Sequence, residues 1–301
     1  MCGIAGVFSP SGAPMGIGKR MLSMLRALNH RGPDSTGVAL YNSPVSDLVL
    51  RIKAGETRVE PTIERAIFSA LGDVLSEREE GAYLRVCVEA DCDLEQLAVQ
   101  IFAAGGELVS AGHALEIVKQ VGSPDELERD YKISKYLGTH ALGHTRMSTE
   151  SKIDLSHSQP FWGAGTADLS IVHNGHITNY HKLRRAYEER GIRFYTENDS
   201  EVIGVYLRDQ MARGDSFEAA LERALEDFDG SFCFLAATQN AFAFVKDPYS
   251  FKPLMVAQTD DFVAVATEEI AIRAAFGEGF SVREPAAKSL QIWSLEHSLA
   301  G

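Results

Sequence analysis

The stretch SFCFLAATQNAFAFVKDPYSFKPLMVAQTDDFVAVA, residues 231–266, consists of four short apolar runs separated by turn residues. The runs span residues 231–236, 241–245, 253–257 and 262–266, and the connections contain Gln239-Asn240, Asp247-Pro248 and Asp260-Asp261. Apolar runs of this length, joined by connections this short, predict strands that pair in antiparallel sheets. This part of the chain therefore predicts short strands that belong to antiparallel sheets.

Outside this stretch, further strands and helices alternate along the chain. Strands are predicted at residues 3–8 and 169–172, and amphipathic helices at 17–28, 200–212 and 217–228. Because strand runs occur near both ends with helices between them, we expect an α+β protein in which stacked antiparallel sheets are covered by helices.

Residues 42–137 differ from the sequence on either side in their pattern of polar and apolar residues. They contain a surface-like helix at 61–75, a strand at 83–90, a helix opened by Asp93, and an apolar strand at 107–110. A further helix start lies at 123–126, where Ser precedes Pro and two acidic residues. We interpret 42–137 as a small α/β subdomain inserted into a larger domain that spans 2–301.

Composition and charge exclude several classes of function. The 301 residues carry 29 Lys and Arg against 42 Asp and Glu, for a net charge of −13. Such a balance repels phosphate backbones and anionic lipids, so we expect neither nucleic acid nor a membrane as partner. The four cysteines form neither a disulfide framework nor a paired zinc motif. We therefore predict a cytoplasmic protein.

Cys2 follows the initiator methionine, and removal of Met1 would place a thiol and a free α-amine on one residue. An α-amine titrates at roughly 7.7–8.0, so near neutral pH it can accept the proton of its own thiol. The alternative interpretation is an ordinary buried cysteine at the start of a strand.

The sequence HNG at 173–175 directly follows the apolar strand at 169–172. The side-chain amide of Asn174 and the backbone N–H of Gly175 could donate two hydrogen bonds to one developing oxyanion. An Asn-Gly pair is also common in plain turns, so the pair alone does not distinguish the two interpretations.

Two charged residues could recognise a free amino acid. Arg146, in GHTRMST at 143–149, could hold a carboxylate through its planar guanidinium, and Asp199, in ENDSEVI at 197–203, could hold an ammonium group. The alternatives are a surface arginine and an acidic residue in the first turn of a helix. In HRGPDSTG at 30–37, Arg31 and Asp34 could pair across a compact turn.

Two histidine pairs have spacings that are compatible with metal binding, namely His140 with His144 and His173 with His176. No cysteine or acidic residue completes either pair at a familiar distance, so we expect no metal site.

In this order, the motifs CGIAG, HRGPDSTG, GHTRMST, HNGHITN and ENDSEVI resemble the class II glutamine amidotransferase domain, which belongs to the N-terminal nucleophile hydrolases. The resemblance covers residues 2–41 and about 138–270, and it implies a four-layer αββα sandwich. It further implies L-glutamine as substrate, Cys2 as nucleophile, and Asn174 and Gly175 as oxyanion donors.

For the substrate-binding residues, the resemblance implies that Arg146 binds the α-carboxylate of glutamine and Asp199 its α-amino group. Thr149, in the motif of Arg146, is grouped with the substrate-binding residues, and Arg31 supports the site beside the amino terminus. The implied chemistry requires no cofactor, because nucleophile, base and oxyanion site all come from the chain.

The long segment at 42–137 most resembles the glutaminase subunits of glutamate-synthase-like enzymes such as N-methylglutamate synthase. That resemblance implies a hetero-oligomer in which a separate, flavin-containing synthase subunit receives the ammonia. The alternatives are a catalytically silent or regulatory subunit that keeps the fold, and an N-terminal nucleophile hydrolase of another amide.

Overall fold

The computed structural model describes residues 2–89, 92–148 and 152–295. Its helices are α1 (Ile17–Leu28), α2 (Pro61–Leu71), α3 (Leu94–Ala103), α4 (Pro124–Tyr131), α5 (Tyr180–Glu188), α6 (Asp199–Ala212), α7 (Phe217–Asp227) and α8 (Glu269–Phe276). Short 3-10 helices span Asn29–Arg31 and Ile133–Lys135. None of the helices within the described ranges is both long and apolar enough to cross a membrane.

The strands fall into three groups along the chain. The first runs from the amino terminus to the middle of the chain and comprises β1 (Gly3–Phe8), β2 (Ser35–Tyr41), β3 (Leu48–Lys53), β4 (Ser76–Glu80), β5 (Tyr83–Val88), β6 (Glu107–Gly112) and β7 (Leu115–Val121). The second comprises β8 (His140–Arg146), β9 (Phe161–Trp162) and β10 (Ser170–Ile177). The third comprises β11 (Gly230–Thr238), β12 (Ala241–Lys246), β13 (Met255–Gln258), β14 (Val263–Ala266), β15 (Val282–Arg283) and β16 (Ser289–Ser294).

Two antiparallel sheets form the body of the protein. One has the order β15-β13-β14-β1-β8-β2-β7, and the other has the order β16-β12-β11-β10-β9. Helices α1 and α8 pack on the first sheet, while α6 and α7 pack on the second, and the strands β1 and β8 contact β10 and β11 across the interface. This is the four-layer αββα arrangement that the family resemblance implies, and the prediction is confirmed.

The two sheets approach closely near the centre of β1. The rings of Phe8 and Phe242 stack across the interface with their centroids 6.0 Å apart. A Cβ atom at Gly6 would lie 2.5 Å from the ring of Phe242, so this position requires glycine. The close approach of the sheets also fixes where β1 lies relative to β10.

A third sheet, of order β4-β5-β3-β6, is composed of residues between β2 and β7. With helices α2 and α3 it follows the chain order β3-α2-β4-β5-α3-β6, a βαββαβ unit. Strand β7 falls within the predicted range 42–137 but pairs with β2 in the seven-stranded sheet. We therefore propose that the inserted subdomain is confined to the part of 42–137 that forms this third sheet and its helices.

A buried ion cluster joins the third sheet to the body of the protein. Arg51 on β3 is fully buried, and its guanidinium lies 2.7 Å from the Glu116 carboxylate on β7. Arg51 also pairs with Glu80 on β4, and Arg85 on β5 donates to Glu116 at 2.9 Å. Although burial disfavours the charged form, the two guanidinium groups hold the pKa of the Glu116 carboxyl below its usual range.

We expect Arg51→Met to lower the free energy of unfolding by about 3–5 kcal/mol, because the buried Glu116 loses its fully buried counter-charge and keeps only the half-buried Arg85. Urea denaturation followed by circular dichroism measures the loss. The control is Arg185→Met, which removes an exposed arginine on α5 that pairs with Glu189. It should leave the midpoint of urea unfolding nearly unchanged. Equal shifts for the two variants would contradict the structural role of the cluster.

Candidate active site

The predicted site residues line one cavity of about 460 Å³ between the two main sheets and the start of α6. The described residues that line it are Cys2, Arg31, Arg146, Met147, Ser148, Gln159, His173, Asn174, Gly175, His176, Tyr180, Glu197, Asn198, Asp199, Ser200, Phe251, Lys252 and Pro253. Six of the seven predicted site residues are in this set. The seventh, Thr149, lies outside the described residues.

Cys2 is held beside Arg146 by the register of β1 and β8. Gly3 pairs with Thr145, so the next position on each strand places Cys2 opposite Arg146. The Cys2 thiol lies 3.8 Å from the carbonyl oxygen of Met147. Burial raises the pKa of this thiol, and the nearby positive charge of Arg146 offsets only part of the effect. The thiol therefore needs a base before it can act as a nucleophile.

Arg31, the last residue of the 3-10 helix Asn29–Arg31, anchors the backbone of Cys2. Its Nε donates to the Cys2 carbonyl oxygen at 3.0 Å, and its Nη1 pairs with Glu268 at 2.5 Å. Arg31 thus contacts the main chain of Cys2, which fits the supporting role implied by the resemblance. Glu268, just before α8, completes this anchor and carries no signal in the sequence.

Gly175 presents its backbone N–H to the cavity because of the alternation of hydrogen bonds along β10. Its partner on β11 is Phe232, which donates its N–H to the Asp247 carboxylate and accepts from the Asp247 N–H at its carbonyl oxygen. Both backbone groups of Phe232 therefore point away from Gly175, and Gly175 makes no ladder bonds to β11. The N–H of Gly175 therefore points to the opposite edge of β10, the side occupied by the cavity. A Cβ atom here would lie 2.2 Å from the Ser231 carbonyl oxygen, and φ is 142°.

Asn174 adds a second donor to the same place. Its Nδ2 is buried and has no hydrogen-bond partner among the described residues. A buried amide donor without a partner is costly, unless a ligand or transition state supplies an acceptor. Asn174 and Gly175 lie within the strand β10, so the interpretation of this pair as a plain turn is wrong.

Arg146 and Asp199 supply opposite charges to the cavity. Arg146 is the last residue of β8, and its Nη1 donates to the Lys152 carbonyl oxygen at 2.8 Å. Asp199 is the first residue of α6, where its Oδ2 accepts from the Ile177 N–H at 2.9 Å. Both side chains are therefore held by the main chain while they line the cavity.

Several cavity residues were not identified from the sequence. They include Gln159, Ser200 and Lys252, which come from three separate segments of the chain. Gln159 has no recognisable motif around it, and Ser200 lies in the motif that pointed to Asp199. Lys252 lies in the stretch 231–266, which predicted only strands and turns. Their position in the cavity follows from contacts between elements that are distant in sequence.

The histidines considered for metal binding have other partners. His140 lies 2.8 Å from the Thr238 carbonyl oxygen, and His144 lies 3.2 Å from that of His173. Burial lowers the pKa of His140 to about 4 and that of His144 to about 3, so both rings are neutral near pH 7. Among the described ranges, no group of three or more His, Cys, Asp or Glu side chains is arranged to hold a metal ion.

Comparison with known proteins identifies the family. A family model described as a glutamine amidotransferase domain matches residues 144–274. A "putative glutamine amidotransferase" from Methanothermobacter thermautotrophicus is 37% identical over 284 residues, which cover 91% of this chain and 93% of that protein. The chain belongs to the glutamine amidotransferase family. A "glutamine amidotransferase-like protein GlxB" from Rhizobium meliloti is 34% identical over 307 residues, 98% of this chain and 96% of that protein.

The fold of this glutamine amidotransferase family member is shared with a solved enzyme. The "allosteric regulatory enzyme of purine biosynthesis" superposes with a TM-score of 0.65 at 19% identity. The superposition covers 97% of this chain but only 47% of the solved one, so this chain spans about half the length of that enzyme. The likeness bears on the fold alone.

Proposed function

We propose that this chain hydrolyses the side-chain amide of L-glutamine to glutamate and ammonia, with Cys2 as the nucleophile. The observation that carries the proposal is the pair of donors at 174–175. The buried Nδ2 of Asn174 has no partner among the described residues, and the Gly175 N–H faces the cavity that Cys2 lines. Two donors beside a thiol are what an acyl-transfer site requires for the oxyanion of its tetrahedral intermediate.

The reaction begins with transfer of the Cys2 thiol proton to the α-amine that removal of Met1 would expose. The sulfur bonds to the amide carbon, and the carbonyl oxygen becomes the oxyanion that Asn174 and Gly175 stabilise. The C–N bond then breaks as the ammonium group returns a proton to the leaving nitrogen, which departs as ammonia. Water attacks the resulting thioester with the amine again accepting a proton. The C–S bond then breaks to release glutamate, and the ammonium group returns its proton to the departing sulfur.

The raised pKa of the Cys2 thiol explains why the base matters in this scheme. A buried thiol is protonated near pH 7, so the proton has to be removed as the C–S bond forms. An α-amine on the same residue is within reach and titrates at roughly 7.7–8.0. Retention of Met1 would leave this nitrogen in a peptide bond, where it cannot serve as a base.

Substrate recognition in this proposal uses both charges of the cavity. Arg146 binds the α-carboxylate of glutamine in two hydrogen bonds, and Asp199 binds the α-ammonium group. Thr149 is proposed as a further substrate contact, and Arg31 acts through the Cys2 backbone. A substrate without an amino-acid head would leave both charges unpaired, which argues against hydrolysis of an unrelated amide.

We also propose that the ammonia is used by a separate synthase subunit in the cytoplasm. Exposed apolar side chains at the rim of the cavity support a docked partner there. Phe251 is 77% exposed and Tyr249 is 64% exposed, and their rings stack at 6.1 Å. Exposed aromatic residues of this kind favour protein interfaces. That this partner contains a flavin and belongs to a glutamate-synthase-like complex remains a prediction of the resemblance.

Cys2→Ala should abolish glutamate release from glutamine, while Asn174→Ala should lower kcat by about 10²–10³-fold through loss of one oxyanion donor. A coupled glutamate assay measures both, and a thermal melt checks folding. Cys87→Ala, at a half-buried cysteine on β5, is the matched control and should retain activity. Intact mass should show that the active protein begins at Cys2, and a fully active chain that retains Met1 would contradict the base assignment.

Arg146→Lys and Asp199→Asn should each raise KM for glutamine, because lysine loses the two-bond contact and asparagine loses the counter-charge. Initial rates over a range of glutamine concentrations measure the change. Arg190→Lys, at an arginine that pairs with Asp209 away from the cavity, should leave KM unchanged. Wild-type rates that are equal for glutamine and for a simple acyl amide would argue against both assignments.

Tyr249→Ser should weaken co-purification of the partner from the native host, because it removes an exposed aromatic side chain at the rim of the cavity. The isolated variant should still release glutamate, since Tyr249 does not line the cavity. Ile270→Ser, on α8, removes a 58% exposed apolar side chain elsewhere and serves as the control. A chain that purifies alone and hydrolyses glutamine at a full rate with every candidate acceptor absent would instead be a free-standing glutaminase.

A further inference from the structure

Gln159 occupies an unusual position beside β10. Its side-chain Oε1 accepts from the His173 backbone N–H at 2.6 Å, and its Nε2 donates to the His173 carbonyl oxygen at 3.1 Å. These are the two bonds that a neighbouring strand would make to His173. The side-chain amide thus takes the place of a peptide group at the edge of the sheet.

The Gln159 side chain is needed at this edge because β9 is short. Strand β9 consists of Phe161 and Trp162, which pair with Ile171 and Ser170, so the ladder on this edge of β10 ends before His173. An unpaired strand edge in a buried region leaves polar groups unsatisfied and the strand poorly held. Gln159 extends the ladder by one residue pair past the end of β9.

The next open position on the same edge is Gly175. Residues 173, 175 and 177 direct their N–H groups to this edge, since alternate residues of a strand point the same way. The His173 N–H is taken by Gln159 and the Ile177 N–H by Asp199, which leaves the Gly175 N–H between two side-chain anchors. The direction of that N–H therefore depends on both anchors.

We propose that Gln159 is a positioning residue for the oxyanion site, one that fixes the orientation of the Gly175 N–H and of Asn174 by holding the His173 backbone. The inference rests on the proposed function, since it deepens the role of the 174–175 donors. Gln159 acts through His173 and makes no bond to the substrate in this scheme.

The orientation of the Gln159 amide is itself fixed by Ser200. The Nε2 of Gln159 also donates to Ser200 Oγ at 3.1 Å, so both of its hydrogens are used. Ser200 Oγ lies 2.8 Å from Nδ1 of His173 as well, which links the helix α6 to the strand β10 through one hydroxyl. A flipped amide would place Nε2 against the His173 N–H, where two donors would face each other.

Gln159→Met tests the role, because methionine has a similar length and can form neither bond to His173. We expect kcat for glutamine to fall by about 10–100-fold with KM nearly unchanged, since misplaced donors weaken transition-state binding rather than binding of the amino-acid head. Gln258→Met removes a side-chain amide that accepts from Trp293 at 3.1 Å, far from the cavity, and should leave kcat unchanged. A Gln159→Met enzyme with wild-type kcat would overturn the proposal.

Gln159→Glu provides a second variant that changes charge with little change of shape. When protonated, its carboxyl can accept from the His173 N–H and donate to the His173 carbonyl oxygen, but when ionised it loses the donor. The ratio of its kcat to that of the wild type should therefore rise as the pH is lowered from about 8 to about 5.5. A ratio that is flat with pH would show that donation to the carbonyl oxygen does not matter.

Hydrogen exchange of the backbone amides at residues 173–177, measured without substrate, separates this inference from the proposed function. Faster exchange in Gln159→Met than in the wild type is the expected result, and exchange equal to the wild type overturns the positioning role. A wild-type chain that releases no glutamate would overturn the proposed function, while the exchange result would still decide what Gln159 does.

Discussion

The free edge of β10 beyond the short strand β9 is the constraint on which the candidate site depends. Backbone groups on that edge point into a cavity and not to another strand. Three of them are taken by side chains: Gln159 bonds to the N–H and the carbonyl oxygen of His173, and Asp199 accepts from the N–H of Ile177. The N–H between these two anchors, at Gly175, is the one that remains for a reacting group.

The rest of the fold brings Cys2, the proposed nucleophile, to this edge. Strand β1 lies inside the seven-stranded sheet, between β14 and β8, so its residues from Ala5 to Phe8 are paired on both sides. The Gly3–Thr145 register and the bond from Arg31 to the Cys2 carbonyl then fix Cys2 within the cavity.

The same packing sets the electrostatics of the cavity. Burial raises the pKa of the Cys2 thiol, and Arg146 and Asp199 face the cavity with opposite charges. The charged side chains are fixed by main-chain bonds to Lys152 and Ile177, so they are in place before a substrate arrives. Such preorganisation favours the binding of a charged amino acid, which the proposed function requires.

The sequence by itself determined the α+β class, the antiparallel hairpins at 231–266 and the short segments that carry Cys2, Arg146, Asn174 and Asp199. These features are local, since they depend on apolar spacing, turn residues and contiguous motifs. The charged strand β4, Ser76–Glu80, has no apolar alternation, and it is a strand only because β5 pairs with it. Likewise, only the tertiary structure decided that Asn174-Gly175 lies in a strand, that Gln159 bonds to the His173 backbone and that Glu268 pairs with Arg31. The reason is physical: these outcomes depend on hydrogen bonds between residues far apart in the chain, which no local pattern encodes.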